Sequence, residues 1–356
     1  MSLAFKIGKH EIGPHQPTYF IADIAANHDG DLERAKDLIA LVAENGGDAI
    51  KFQNFQAESI VSDFGFKNLG GQQAHQSAWK KSVYETYEDA ALPLEWTETL
   101  KQAADKNGLD YLTAPYDLAL IDRLSPYVCA WKLGSGDITW HDEIERLAGD
   151  GKPLLIATGA ATMDEVRLAV RVAQKHCSEL VLMQCNTNYT ASLENFRFIA
   201  LNVLKAYARE FPSVILGLSD HTPGHATVLG SIALGARVIE KHFTDDNGRE
   251  GPDHKFSMTP RSWKEMVERS RELELALGPE EKEVMGNELE TVVVQRRAVR
   301  ARKSIAAGTT IKEDDLTVLR PCPEDGLAPY RMAEVVGKTA ARDIRQGDCV
   351  RPGDVT

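Results

Sequence analysis

The sequence predicts an α/β chain, a (β/α)8 barrel followed by a small β-rich C-terminal domain. Three observations carry this expectation. A short apolar segment followed by an amphipathic helix recurs eight times over about 280 residues, a length that suits such a barrel. The apolar segments are mostly continuous, as parallel strands covered on both faces should be. After "LGPEEKEV" the recurrence stops, and short apolar runs punctuated by Gly308, Gly326, Gly337, Gly347 and Gly353 take over. An open doubly wound sheet is the competing arrangement. The number of units, and the lack of a glycine-rich dinucleotide loop after the first strand, favour the barrel.

Taken in order, "FKIGKHEIGPHQPTYF" reads as a hairpin with Gly8 near one turn and Gly13-Pro14 near another. "YFIADIAAN" opens the first unit and leads to a helix around Leu32–Ala43. "DAIKFQ" precedes a long irregular connection, residues 57–90, and a helix around Leu94–Lys106. "LDYLTAPYD" precedes Leu118–Leu124, and "CAWKLGSGD" a short helix near Ile144–Leu147. "PLLIATG" precedes Met163–Lys175, where Thr162 and Glu165 have capping-box spacing. "LVLMQCNTNY" precedes a helix over Phe196–Tyr207, and "VILGLSDHT" one near Ala226–Leu234. "RVIEKHFTD" precedes Trp263–Leu277, with Thr259-Pro260 suited to a helix start. The domains expected are a barrel with its hairpin over 1–280, a linker over 281–298 and the β-rich domain over 299–356.

A formal net charge of −12 argues against a primarily nucleic-acid-binding protein, while leaving room for a local basic pocket. The basic run "RRAVRARK" reads as a solvated linker. No apolar run approaches the roughly 18–20 residues of a membrane span, and the first residues lack the apolar stretch of a secretory signal. The cysteines at 129, 177, 185, 322 and 349 are odd in number and form no CxxC pair, which points to a reduced, cytoplasmic protein.

Barrel enzymes build their active sites at the C-terminal ends of the strands. Here those ends are crowded with polar groups: Asp23, Asn27 and His28; Lys51 and Gln53; Asp117; Lys132, Ser135 and Asp137; Thr187 and Tyr189; Ser219, Asp220 and His221; Glu240, Lys241 and His242. Several of the charges fall within predicted strands, where a purely structural barrel would be apolar, so they read as one site rather than as solvated loop starts. His221 and His242 hold corresponding places on neighbouring strands, and neutral imidazoles suit a divalent transition metal. Two protein ligands would leave positions for water and substrate oxygens. Lys51 and Lys132, with Ser135 and Ser219, suit a phosphate or carboxylate. The bland alternative pairs each lysine with Asp23 or Asp137. Six further histidines, His10, His15, His75, His141, His176 and His225, read as surface or satisfied residues.

The ordered set "IADIAANHDGDLERAKDLI", "IKFQ", "WKLGSGD", "ATG", "GLSDHT" and "IEKHFTDDNGREGPDHKFSM" resembles the sialic acid (nonulosonate) synthases. "KSIAAGTTIKEDDLTVLRP" and "GKTAARDIRQGD" resemble that family's C-terminal antifreeze-like (SAF) domain, so the likeness runs along nearly the whole chain. The resemblance implies condensation of phosphoenolpyruvate with an N-acetylated amino-sugar aldehyde, giving a nine-carbon 2-keto acid and phosphate. It implies a divalent metal, Mn2+ or Mg2+, on His221 and His242. It assigns Lys51, Lys132, Ser135, Ser219 and, more loosely, Thr187 to phosphoenolpyruvate. Gln53, Tyr189 and Asp253 fall at positions near the sugar, and Arg320 at the arginine that reaches its N-acyl end from the partner subunit, which implies a domain-swapped homodimer.

The chain departs from the family pattern at four places. Asp23 and Asp137 stand where relatives carry glutamate; the resemblance implies that the acid at 23 handles the attacking water or a sugar proton, and that the acid at 137 belongs to the metal's outer shell, and both are taken as catalytic. Ala114 and Ala157 stand where relatives carry threonine and serine, so two hydroxyl contacts to the anionic substrate are missing. Each is worth about 1 kcal/mol net. These exchanges motivate two alternatives, a synthase for an unusual sugar or aldehyde and a non-catalytic sugar-binding paralogue. The 57–90 connection, on the side of the strand C-termini, is a candidate sugar lid.

Overall fold

The structure, a computed structural model, describes residues 3–70, 76–77 and 79–356. His75 and part of the 57–90 connection lie outside the described residues. Two compact units divide the chain, Met1–Gly278 and Pro279–Thr356.

The first unit opens with an antiparallel hairpin, β1 (Phe5–Ile7) and β2 (His10–Ile12), turned at Gly8 in the left-handed region. The chain then runs through β3 (Tyr19–Asp23), α1 (Leu32–Glu44) and β4 (Ala49–Gln53). The long connection contains three short helices, α2 (Ala57–Ile60), α3 (Asp63–Asn68) and α4 (Val83–Ala90). After it come α5 (Thr97–Lys106), β5 (Asp110–Ala114), α6 (Leu118–Leu124), β6 (Trp131–Leu133) and α7 (His141–Ala148). The second half comprises β7 (Leu154–Ala157), α8 (Met163–Ala173), β8 (Leu180–Cys185) and α9 (Val203–Glu210). It closes with β9 (Ile215–Asp220), α10 (Ala226–Ala233), β10 (Val238–His242) and α11 (Pro260–Leu277). The eight strands β3 to β10 pair in parallel and close on one another, with β10 beside β3.

Strand alternation sorts the core into two layers. Tyr19, Ile21, Leu112, Leu155, Val181 and Val238 point into the barrel, where Ile7 and Ile12 of the hairpin join them. Phe20, Ile50, Trp131, Leu154, Leu218 and Ile239 point out, against the helices. The hairpin therefore plugs the end of the barrel where the strands begin, and the opposite end is left for polar groups. Helix starts are capped as their sequences suggest. Asp31 accepts from the Glu33 and Arg34 amides, Thr162 and Glu165 form the capping box, and Pro260 opens α11 behind Thr259.

The helix expected over Phe196–Tyr207 is corrected. Residues Leu193–Phe198 form a 3-10 turn, Ala200 is in the left-handed region at φ 53°, and α-helix begins only at Val203. An L-residue in that region interrupts a right-handed helix. The helix expected at Leu94 likewise opens as a 3-10 turn before α5, and the one near Ile144 runs a turn longer.

The second unit has its own apolar core, including Val299, Ile305, Ile311, Leu327 and Val350. A helix, α12 (Leu289–Gln295), occupies the stretch read as linker. Two antiparallel strands follow, β11 (Ala298–Ala301) and β12 (Leu316–Leu319), with isolated bridges such as Ile305 to Ile344 tying the later turns together. No helix among the described residues is long and apolar enough to cross a membrane.

Candidate active site at the barrel mouth

The inward-facing positions at the strand C-termini form a stacked ring. Asp23 at the end of β3 is buried and accepts from Lys51 Nζ at 2.7 Å, Gln53 Nε2 at 2.9 Å and the Ala25 amide at 3.1 Å. Burial alone would raise its pKa. The Lys51 charge, His242 and the hydrogen bonds outweigh burial and hold the carboxyl at about 2. Burial pulls Lys51 down, but Asp23 and Glu240 reverse this, so the ammonium stays charged in the interior.

A second pair faces it. Lys132 Nζ lies 3.5 Å from Glu240 Oε1 and donates to the Leu133 carbonyl at 3.1 Å, and Ser219 Oγ donates to Glu240 at 3.1 Å. The bland pairing is thus right for Lys51 and Asp23, whereas Lys132 turns to Glu240 rather than to Asp137. Glu240 was visible as a charged strand end but had no assigned role. The parity shared with Val238 and His242 is the signal that would have pointed it inward.

Asp137 follows β6 in a 3-10 turn and is half-buried. Burial raises its pKa to about 6, and Lys132 moderates the rise. Asp23 and Asp137 are therefore pushed apart, the first held ionised and the second raised to about 6. Behind Asp137, the buried Glu143 is pushed up to about 8 by burial and then by Asp137 and Asp117, and its Oε2 has no hydrogen-bond partner among the described residues.

His221 and His242 lie with ring centroids 5.3 Å apart. His221 Nδ1 is 2.9 Å from the Asn186 carbonyl, which can only accept, so the proton is on Nδ1 and Nε2 keeps its lone pair. Burial, then His242, lowers the His221 pKa to about 3, so the imidazole is neutral. His242 is buried, with Nδ1 unpartnered and Nε2 3.6 Å from Asp23. A neutral imidazole with a fixed lone pair beside a second one with an orphaned nitrogen fits a divalent cation. Among the described residues no cluster of three or more His, Cys, Asp or Glu side chains adds a further protein ligand. Tyr189 packs on His221 at 4.2 Å, and Phe256 covers both histidines at 5.7 and 4.9 Å. Phe256 carried no signal in the sequence, since it arrives from the loop after β10.

Ser135 Oγ accepts from the Gly159 amide at 2.9 Å. A Cβ at Gly159 would stand 2.5 Å from Thr187 Cγ2 and 2.9 Å from Ser135 Oγ, so glycine is what lets these two groups converge. Asp253 Oδ2 accepts from the Ala26 amide at 3.1 Å and acts electrostatically on Lys51 and Tyr189. Tyr87, on α4, is pushed up to about 12 by burial, Asp253 and Asp137, which brings the long connection to the mouth. His28 orients its own loop, Nδ1 accepting from the Gly30 amide. Beneath the histidines, on the outward face, Lys241 and Asp220 form a buried pair. Arg320 belongs to the second unit, where it is exposed and its Nε donates to the Gln295 carbonyl at 2.6 Å.

Residues 38–282 match the NeuB family, and residues 296–356 match the SAF domain. Over 341 residues the chain is 33% identical to the N,N'-diacetyllegionaminic acid synthase of Legionella pneumophila, covering 94% of each protein. It is 32% identical over 346 residues to the pseudaminic acid synthase of Campylobacter jejuni, covering 94% of this chain and 96% of that one. The crystal structure of the N-acetylneuraminic acid (sialic acid) synthetase of Leptospira borgpetersenii, in complex with citrate, superposes with a TM-score of 0.72. That match has 26% identity and covers 82% of this chain and 96% of the other. Barrel and C-terminal unit match alike, and the chain belongs to the NeuB family.

Proposed function

We propose that the chain is a cytoplasmic nonulosonate synthase that condenses phosphoenolpyruvate with an N-acetylated amino-sugar aldehyde. The observation that carries this reading is the convergence of two buried lysines, Lys51 and Lys132, with the His221–His242 pair in one barrel mouth. The names of the relatives, synthases of legionaminic and pseudaminic acid, support the same reaction class.

In this reading Lys51 and Lys132, with Ser135, Ser219 and Thr187, hold the phosphate and carboxylate of phosphoenolpyruvate by charge-assisted hydrogen bonds. Gln53, Tyr189 and Asp253 position the sugar. His221 and His242 would hold a divalent cation, Mn2+ or Mg2+, which would supply Lewis-acid polarisation to the aldehyde. C3 of phosphoenolpyruvate then bonds to the aldehyde carbon, leaving positive character at C2. Asp23, held ionised, offsets that charge. The aldehyde oxygen, left as an alkoxide, takes up a proton and becomes a sugar hydroxyl. Water adds at C2 and gives one proton to Asp137; the C2 hydroxyl passes its remaining proton to the phosphate as the bond from C2 to the phosphate oxygen breaks. The products are a 2-keto acid and phosphate. Arg320 is assigned to the sugar's N-acyl end within a domain-swapped homodimer.

The test is phosphate release from phosphoenolpyruvate with Mn2+, across N-acetylmannosamine and 2,4-diacetamido-trideoxy hexoses, with His221→Ala as control. Release with one sugar, lost in the variant, establishes reaction and acceptor together. Silence with every sugar, in protein that binds metal and phosphoenolpyruvate, overturns the assignment of these acceptors. Sugar binding with neither metal nor phosphoenolpyruvate bound supports the non-catalytic paralogue instead.

A further inference from the structure

The mouth contains a hydroxyl that the reaction above does not use. Tyr116 stands two residues beyond β5 with φ at +43°. A bulky side chain in the left-handed region is strained and persists only where its surroundings hold it. What holds it is visible. The ring stands edge-on to Phe55, centroids 6.2 Å apart at 73°. Its hydroxyl reaches over Gly134, where a Cβ would come within 2.6 Å of Tyr116 Oη. Glycine at 134 therefore leaves room for the phenol at the end of β6.

The placement is selective. Gly134 lies between Lys132 and Ser135 in sequence, so the phenol reaches the strand end that carries both side chains. On the flanking strands, β5 and β7 end in Ala114 and Ala157, which are buried and bring no donor. No described hydrogen bond occupies the Tyr116 hydroxyl, although Asp23 and Asp137 are within electrostatic reach. Burial, followed by Tyr189, Asp137, Asp23 and Tyr87, keeps the phenol protonated well above its usual range, so it remains a donor.

We infer that the Tyr116 hydroxyl is a substrate-binding group, donating a hydrogen bond to an anionic oxygen of bound phosphoenolpyruvate on the side where Ala114 and Ala157 offer none. This rests on the phosphoenolpyruvate reading of the site. The strained backbone is the means by which β5 delivers a donor from its loop to a position its own last residue leaves empty.

The experiment compares wild type with Tyr116→Phe, which keeps the ring and removes the hydroxyl. Calorimetry with phosphoenolpyruvate alone, and phosphate-release kinetics with the accepted sugar, are run on both. The expected result is a rise of about 10–100-fold in the Kd and KM for phosphoenolpyruvate, the size of one hydrogen bond to a charged group. The KM for the sugar should stay within about twofold. Equal phosphoenolpyruvate affinity in the two proteins, or a change confined to the sugar, overturns the inference. If wild type binds phosphoenolpyruvate yet turns over no sugar, the proposed reaction fails while the calorimetric difference still decides the role of Tyr116. If wild type binds no phosphoenolpyruvate, the inference falls with the reading beneath it. Should Tyr116→Phe fail to fold, Gly134→Ala, which drives the hydroxyl off the strand end, must weaken phosphoenolpyruvate binding in the same direction.

Discussion

Replacing Lys241 with methionine probes the pair that ties the two histidine-bearing strands together. Lys241 on β10 pairs in register with Asp220 on β9, each one residue before a histidine of the mouth. Lys241 Nζ lies 2.5 Å from Asp220 Oδ2 and 2.6 Å from the Thr222 carbonyl, and both charged side chains are 1% exposed. Thr222 and Thr227 each donate to the same carboxylate oxygen at 2.8 Å. Lys241→Met keeps the volume and removes the cation, which strands a buried carboxylate. Breaking such a pair from one side costs about 3–5 kcal/mol. At about 2 °C per kcal/mol for a unit of this size, the melting temperature should fall by about 6–10 °C near neutral pH.

The pH dependence supplies an independent check. In wild type, burial would raise the Asp220 pKa, but Lys241 and the hydrogen bonds from Lys241, Thr222 and Thr227 hold it below its usual value. The pair's contribution is therefore fully present above the unfolded pKa of about 3.9 and lost as pH falls through the lower folded value. Without Lys241, only the two threonine hydrogen bonds oppose burial, the largest influence on this carboxyl, and the folded pKa rises above the unfolded one. Destabilisation of the variant should then shrink as pH falls from 7 toward about 4, because a protonated Asp220 tolerates its site. Thermal melts by circular dichroism at pH 7, 5.5 and 4.5 measure this. Asp220→Asn combined with Lys241→Met should recover at least half of the loss, since no charge is left unpaired. A fall of less than about 2 °C at pH 7, with a gap to wild type that does not narrow in acid, would refute the reasoning.

Asp137→Asn should lower kcat/KM by about 100-fold or more and abolish the acid limb of the pH profile. With Asp137 raised to about 6 and acting deprotonated, wild-type activity should fall as pH drops below that value. Lys132→Met should raise the phosphoenolpyruvate KM by about 10–100-fold, the loss of a charge-assisted hydrogen bond, with the sugar KM little changed in steady-state kinetics. Glu143→Gln should raise the melting temperature at pH 8 and leave it unchanged at pH 4. Burial holds the folded pKa at about 8, so the cost of Glu143 grows only as pH rises above its unfolded value. Arg320→Ala should raise the KM for the sugar and not that for phosphoenolpyruvate, with the dimer expected by light scattering left intact.

Periodicity gave parallel strands covered on both faces, and the count of eight units with no glycine-rich dinucleotide loop favoured a closed barrel over an open doubly wound sheet. In such a barrel a strand ending in "EKH" or "SDH" delivers its charges to the open end. That local grammar located the polar groups at the mouth. It failed at Phe196–Tyr207, where apolar spacing read as helix but Ala200 in the left-handed region divides the segment, a backbone choice that periodicity does not encode. Pairing was beyond it too. Strand parity separates Glu240 from Lys241, but only the register between neighbouring strands decides that Lys132 meets Glu240 and that Lys241 meets Asp220. The pKa values follow from the same cause. Asp23 and Asp137 are the same residue type, yet one is held near 2 and the other near 6, because three-dimensional packing gave the first a buried lysine at 2.7 Å and the second chiefly burial. Residue identity and spacing depend on the chain alone. Which charge lies against which, and how much water each retains, depends on contacts between residues far apart in sequence, and these exist only once the barrel has closed.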